Sequence, residues 1–284
     1  MSTYKHILAA VDGSSPSQHA LEQLPRLLGL RVTAAAVVPP PPGDLGDLSP
    51  ELEARLRAPY EKALASSQKW AKAQDLSLET LLVKGEPPEA LSAAARDYSC
   101  DLVVIGKRGY DLPAGAQMGR ITERVIGYCP TDVLVVPVRG TLNLSRLLLP
   151  VDGSRFSRRA ATQALALATE SGSTLLAVSV LDAPSGFLEE VPEVARDLLN
   201  NLEDLLAGVV SKASDQGLAC ETRVAVGPAY RLIVELAGEW DAGLIVMGSH
   251  GRTGHKRLLM GSVTERVVGQ APCPVLVVKA DQKL

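Results

Sequence analysis

The chain repeats itself. Ile7-Leu-Ala-Ala-Val-Asp12-Gly13-Ser14 recurs as Leu147-Leu-Leu-Pro-Val-Asp152-Gly153-Ser154, displaced by 140 residues. Val103-Val-Ile-Gly106-Lys-Arg-Gly109 recurs as Ile245-Val-Met-Gly248-Ser-His-Gly251, displaced by 142. Thr122-Glu-Arg-Val-Ile-Gly127 and Val133-Leu-Val-Val136 recur as Thr264-Glu-Arg-Val-Val-Gly269 and Val275-Leu-Val-Val278, again displaced by 142. Order and spacing hold throughout, so the sequence reads as a tandem duplication of one unit. The joint falls near Arg139 to Asn143, which gives domains over 1–140 and 144–284. A length of 284 residues, divided by the roughly 150 of an average domain, gives the same count of about two.

Within each copy, short apolar runs alternate with stretches of helical period. In the second copy the expected strands are Leu147 to Val151, Leu175 to Leu181, Thr222 to Val226, Leu244 to Met247 and Val275 to Val278. The expected helices are Ser157 to Thr169, Val191 to Lys212, Tyr230 to Glu239 and Ser262 to Gly269. Continuous rather than alternating apolar strands mean that both sheet faces are covered. The predicted fold class is therefore α/β: two tandem, doubly wound, five-stranded parallel sheets of Rossmann-like topology with right-handed crossovers. Ser15-Pro16 suggests an N-cap followed by proline at the first helical position. Pro39 to Pro42, with Gly43 and Gly46, reads as a stiff loop, and Ala183-Pro-Ser-Gly186 as its shorter counterpart. Both lie at strand carboxyl ends, where such sheets bind ligands.

Composition narrows the function classes. A net charge of -3 supplies no bulk positive field for phosphate backbones or anionic lipid. The 2 Trp, 6 Tyr and 2 Phe are too few for a base-stacking platform. Neither a nucleic acid nor a membrane is an expected partner. No apolar run approaches the ~20 residues of a spanning helix, and the stretch Ile7 to Val11 is stopped by Asp12, which argues against a signal peptide. The 4 cysteines are scattered without a C-x-x-C pair, fitting reduced thiols and a cytoplasmic location.

Gly248-Ser-His-Gly251, then nine residues, then Gly261-Ser262-Val263 follows an expected buried strand and opens an expected helix. Unpaired amides and the helix dipole favour an anion at such a helix start, phosphate above all. Gly248 and Gly251 are expected to bring the main chain close to a ligand and to take positive φ. Ser262-Val-Thr-Glu265 also reads as a capping box that needs no ligand. Both readings fit the stretch alone; the glycine spacing and the other strand ends favour phosphate. His250 and His255 fall in the loop, as phosphate or ion contacts or as exposed loop residues, without a second ligand at metal spacing.

The pattern Gly-x2-Gly-x9-Gly-Ser resembles the nucleotide-binding signature of the ATP-binding universal stress proteins. The Val-Asp-Gly-Ser strand ends and the terminal Pro-Val-Leu-Val-Val strand also look like that family's, and the whole chain is similar to its tandem type. The resemblance implies adenosine contacts at Pro150, Val151 and Asp152, and a main-chain adenine contact at Val180. It implies ribose and phosphate contacts at Met247, Gly248, His250, Gly251 and Arg252, and a phosphate cradle at Gly261, Ser262 and Val263. For Asp152 a turn or capping role is the alternative.

The first copy offers a second site at Ala10, Val11, Asp12, Val38, Gly106, Arg108, Gly109, Gly119 and Arg120. Its Gly-Ser step is replaced by Gly119-Arg120. The first site is thus either degenerate or altered to grip phosphates by charge, with Lys107 and Arg108 nearby. The resemblance also implies that the two copies pair about a pseudo-twofold through their last strands, as a dimer within one chain, with homo-oligomers and an unidentified protein partner beyond it.

ATP is the expected cofactor, with Mg²⁺ as companion of its phosphates, and no resident metal site is expected. P-loop, nucleophile-elbow and His-Glu-x-x-His patterns are absent from the sequence. The expectation is a nucleotide-dependent stress-response module with slow or no hydrolysis and no catalytic residues. An adenylyl-transferring or pyrophosphate-cleaving enzyme is the alternative, and a scaffold with a vestigial pocket is the third reading.

Overall fold

The computed structural model describes residues 3–27, 31–41, 49–109, 117–183, 186–251 and 260–280. Two compact units divide between Val138 and Arg139. The first contains β1 (His6–Ala10), α1 (Ser15–Glu22), β2 (Arg31–Val38), α2 (Pro50–Ala73), β3 (Leu78–Lys84), α3 (Pro87–Asp97), β4 (Leu102–Gly106), α4 (Arg120–Tyr128) and β5 (Asp132–Val136). Its strand order is β3-β2-β1-β4-β5, parallel throughout. The second contains β6 (Arg146–Pro150), α5 (Arg155–Ser171), β7 (Thr174–Leu181), α6 (Phe187–Glu190), α7 (Pro192–Ser214), β8 (Cys220–Val226), α8 (Ala229–Glu239), β9 (Leu244–Gly248), α9 (Ser262–Gln270) and β10 (Val275–Val278). Its order is β8-β7-β6-β9-β10, also parallel. These elements match the expected ones of the second copy to within two residues, with the four-residue α6 as an addition.

The sequence dictates this arrangement through burial. Every residue of β1, β4, β5, β9 and β10 is buried, which requires helices on both faces. β3 and β8, at the far end of each order, are partly exposed and carry Glu79, Lys84, Glu221 and Arg223. In each unit the winding reverses between two neighbouring strands, β1 beside β4 and β6 beside β9. Chain segments leave the carboxyl ends of those pairs in opposite directions and open a crevice there.

Helix starts fix the edges of that crevice. Ser14 caps α1 by accepting from the Ser17 amide at 3.3 Å, and Ser154 caps α5 by accepting from Ser157 at 3.1 Å. The cap of α1 is thus one residue earlier than expected, leaving Ser15 and Pro16 as the first two helical residues. α1 lies on β4 and α5 on β9 at very close range. A Cβ on Gly248 would stand 2.7 Å from the Phe156 Cβ and 2.8 Å from its carbonyl carbon. One on Gly106 would stand 2.9 Å from the Pro16 carbonyl oxygen.

Gly248→Ala is therefore expected to destabilise the second unit by about 1–3 kcal/mol, since backbone must move to admit the methyl. Gly208→Ala, in the exposed middle of α7 with nothing within 4 Å of the added carbon, is expected to stabilise by about 0.5–1 kcal/mol. Urea denaturation of both variants reads the opposite signs.

Candidate functional site

The site begins with the turn that follows the first strand of each unit. Gly13 and Gly153 have φ of 85° and 80°, the left-handed region that glycine adopts without strain. Asp12 Oδ1 accepts from the Ser14 amide at 2.8 Å, and Asp152 Oδ1 from the Ser154 amide at 2.9 Å. The turn role weighed for this aspartate is thus present, and it occupies one carboxylate oxygen. The other oxygen faces the glycine loop. A Cβ on Gly109 would stand 2.9 Å from Asp12 Oδ2, and one on Gly251 would stand 2.8 Å from Asp152 Oδ2.

This geometry corrects the expectation for the loop glycines. Gly248 and Gly251 are not among the glycines with positive φ, and neither are Gly106 and Gly109. Glycine stands at these positions because a side chain would collide with the α1 or α5 backbone at one and with the aspartate at the other. The requirement is space, not handedness.

The helix starts complete the site. Gly119 and Gly261 are the N-caps of α4 and α9, and neither helix has a side-chain cap. The alternative capping box of Ser262 and Glu265 is therefore not formed: Ser262 is already the first helical residue, and the Glu265 amide donates to the Gly261 carbonyl at 2.9 Å. Thr122 and Thr264 tie each helix to the preceding strand, donating to the Gly106 and Gly248 carbonyls at 3.0 and 2.9 Å. The Gly119 and Gly261 amides donate to the carbonyls of Lys107 and Ser249 at 3.0 and 2.9 Å. Gly119 has φ -72° and ψ 142°, which any residue adopts, and its added Cβ would meet ordinary contacts. Neither backbone nor packing demands glycine there, which leaves access to the first-turn amides as its use.

In the first unit these parts border a cleft of about 960 Å³. Ala10, Val11, Asp12, Gly106, Arg108, Gly109, Gly119 and Arg120, all sequence candidates, line it. Val38 does not: Val37 and Pro39 face the cleft, and the Val38 carbonyl accepts from the Gly85 amide at 3.1 Å. Strand register explains the offset. Gly227 bonds to Leu181 as Gly85 bonds to Val38, so Val180 matches Val37 and not Val38. Sequence reasoning missed Tyr60, Glu86, Leu91, Ile121 and Arg124, which also line the cleft. Glu86 was within reach of the strand-end rule, because Gly85-Glu86-Pro87 closes β3; Tyr60, in the middle of α2, gave no local signal.

In the second unit the Val151 amide donates to the Val178 carbonyl at 2.8 Å, setting Asp152 beside β7. Pro150 ends β6, Met247 is buried at the end of β9, and Val263 is half-buried in the first turn of α9. His250 is half-buried, with Nδ1 3.2 Å from the Ser249 hydroxyl and its ring 5.1 Å from Phe156. Arg252 and His255 lie outside the described residues, as do most of the proline-glycine loop after Pro41 and two residues of its shorter counterpart.

The electrostatics are simple. Burial, and then the neighbouring Arg108, lower the Lys107 ammonium below the ordinary lysine value. Burial pushes the Cys100 thiol up to about 11 and Cys273 up to about 12, the wrong direction for a thiolate nucleophile. Among the described residues there is no group of three or more His, Cys, Asp or Glu able to hold a metal ion, and no helix long and apolar enough to cross a membrane.

Two doubly wound parallel sheets, each with a glycine-bordered crevice where the winding reverses, define a duplicated α/β protein of the Rossmann-like kind. The family model described as universal stress protein family matches residues 3–137 and again 143–279, and the chain belongs to that family. It is 38% identical over 152 residues to universal stress protein MJ0531 of Methanocaldococcus jannaschii, covering 51% of this chain and 89% of the relative. A universal stress protein of Mycolicibacterium smegmatis is 33% identical over 213 residues, covering 72% of this chain and 69% of that one. The crystal structure of a universal stress protein from Archaeoglobus fulgidus shares the fold, with TM-score 0.74 at 19% identity over 98% of this chain and 97% of its own.

The buried thiols predict a pH dependence. The folded state keeps Cys100 and Cys273 protonated where the unfolded chain ionises, so their contribution is intact below the ordinary value of 9.0 and is lost as pH rises toward 11 and 12. A Cys100→Ala/Cys273→Ala double variant should show a shallower loss of unfolding free energy above pH 9 than the parent. Equal slopes would show that burial does not hold these thiols neutral.

Proposed function

We propose that this protein is an ATP-binding regulatory module whose C-terminal unit seats the nucleotide between the Asp152 turn and the start of α9. The single observation behind this reading is the close meeting of Asp152 Oδ2 with the Gly251 main chain, 2.8 Å from where a Cβ would stand, beside a helix that begins on Gly261 without a side-chain cap. A carboxylate with one oxygen fixed in a turn and the other facing a crevice suits ribose hydroxyls. Uncapped first-turn amides and the helix dipole suit phosphate. The end of β7 at Val180 supplies main chain for an adenine edge.

The parts fit that ligand. In the first unit the cleft of about 960 Å³ lined by described residues lies within the usual size range of small-molecule sites. A magnesium ion accompanying the triphosphate would be held by the phosphates and water, as is usual for that ion. The chain's own contribution is to bind and orient: the aspartate positions the sugar, the glycines admit it, and the helix start holds the tail. Occupancy then changes what partners meet, by as much as the nucleotide prefers one arrangement of the loop over another. Hydrolysis is slow at most.

Saturating ATP, at about 100 times its Kd, should raise unfolding free energy by about 2.7 kcal/mol and the melting midpoint by several degrees. Gly251→Ala, which drives a methyl against the Asp152 carboxylate, should weaken that shift without removing the fold. An unchanged midpoint in ATP overturns the reading, and phosphate or pyrophosphate release at about one per second or faster replaces it with an enzyme.

A further inference from the structure

The two units differ at two described positions beside the helix start that follows the glycine loop. Arg108 and Arg120 line the N-terminal cleft, and the residues 142 positions on are His250 and Ser262. Both arginines are exposed, and among the described residues neither forms an ion pair. Arg124, the third cation on the cleft, is already engaged by Glu89 at 2.6 Å.

Arg120 is poorly placed for stability. It is the first residue of α4, at the positive end of the helix dipole, where a cation is unfavourable. Arg108 faces the same end of the cleft and sits beside Lys107, whose ammonium is lowered by burial and by that neighbour. Two cations gathered at a helix start, on a cleft large enough for a nucleotide, are relieved by an anion carrying several charges. A monophosphate meets part of that demand and a triphosphate more of it.

We propose that the N-terminal cleft is a second nucleotide site that selects its ligand by the charge of the phosphate tail, read by the guanidinium groups of Arg108 and Arg120. The C-terminal unit has His250 and Ser262 in their places, so these two positions do not read the tail through guanidinium groups there. The proposal rests on the nucleotide reading above and adds that the two sites are chemically unlike. Asp12 takes the sugar role that Asp152 takes in the other unit, since its Oδ2 faces Gly109 in the same way.

Calorimetric titration of the full chain with ATP and with AMP, at low and high salt, tests it. Asp152→Ala, with Asp152→Ala/Gly251→Ala as a second route, silences the C-terminal site. The remaining site should bind one equivalent, prefer ATP over AMP by about tenfold or more for each guanidinium contact, and lose most of that preference in salt. Adding Arg108→Gln/Arg120→Ser should bring ATP and AMP to within a few-fold of each other. Arg120→Ser alone should raise the melting midpoint without ligand while lowering ATP affinity, an opposition that a misfolded variant does not produce. No binding in the silenced background, while the parent binds one equivalent, overturns this proposal and leaves the C-terminal reading standing. So does an unchanged ATP preference in the arginine variant. A parent chain that binds no nucleotide in either unit sinks both.

Discussion

The structure depends on a contact that only glycine permits. Where each sheet reverses its winding, the last residue of one central strand lies against the backbone at the start of the helix that follows the other. Absence of a Cβ at Gly106 and Gly248 lets α1 and α5 settle against the strand ends. That seating carries the Asp-Gly-Ser turns inward, until the carboxylates of Asp12 and Asp152 reach the second loop glycine. Close packing of helix on strand and the assembly of the site are therefore one event, and a methyl group at the first glycine disturbs both.

Much of this was legible in the sequence. The tandem repeat gave the two units, and uninterrupted runs such as Leu102 to Gly106 and Leu244 to Gly248 gave parallel strands with both faces covered. The Asp-Gly-Ser and glycine-loop residues could be placed at strand ends because α/β topology puts ligands there. Details that failed were those governed by distance through space. Positive φ was expected at Gly248 and Gly251, yet the left-handed glycines are Gly13 and Gly153 in the turns. Val38 stands 142 residues before Val180, but bonds at the strand ends set β2 and β7 143 residues apart, so Val37 is the counterpart and faces the cleft. The capping alternative at Ser262, which the glycine spacing weighs against, is set aside by the observed start at Gly261, which alone separates cap from first helical residue.

Duplication gives this architecture a freedom that a symmetric pair of identical chains lacks. In two copies of one chain, any change at the helix start appears in both crevices. Here Thr122 and Thr264 keep the same bond to a strand-end carbonyl, and Asp12 and Asp152 keep the same turn. Around those shared elements, Arg108 and Arg120 diverge from His250 and Ser262, while Arg155 and Phe156, stacked at 4.7 Å beside His250, diverge from Ser15 and Pro16. The shared pairs hold the backbone, and the divergent pairs change the chemistry around it at a local cost, as at Arg120 on the positive end of the α4 dipole.

Serine starts α1, α2 and α5, accepting from an amide in the first turn each time. Glycine starts α4 and α9, with no acceptor offered. Selection for heat tolerance alone would drift toward serine or aspartate at 119, where an added Cβ meets only ordinary contacts, gaining a few tenths of a kcal/mol. It would also set the protein's own oxygen atoms in the first crevice. The bare glycine there marks where this chain sacrifices a little robustness to keep a door open, whereas at 261 an added Cβ would already stand 3.2 Å from the His250 Cα.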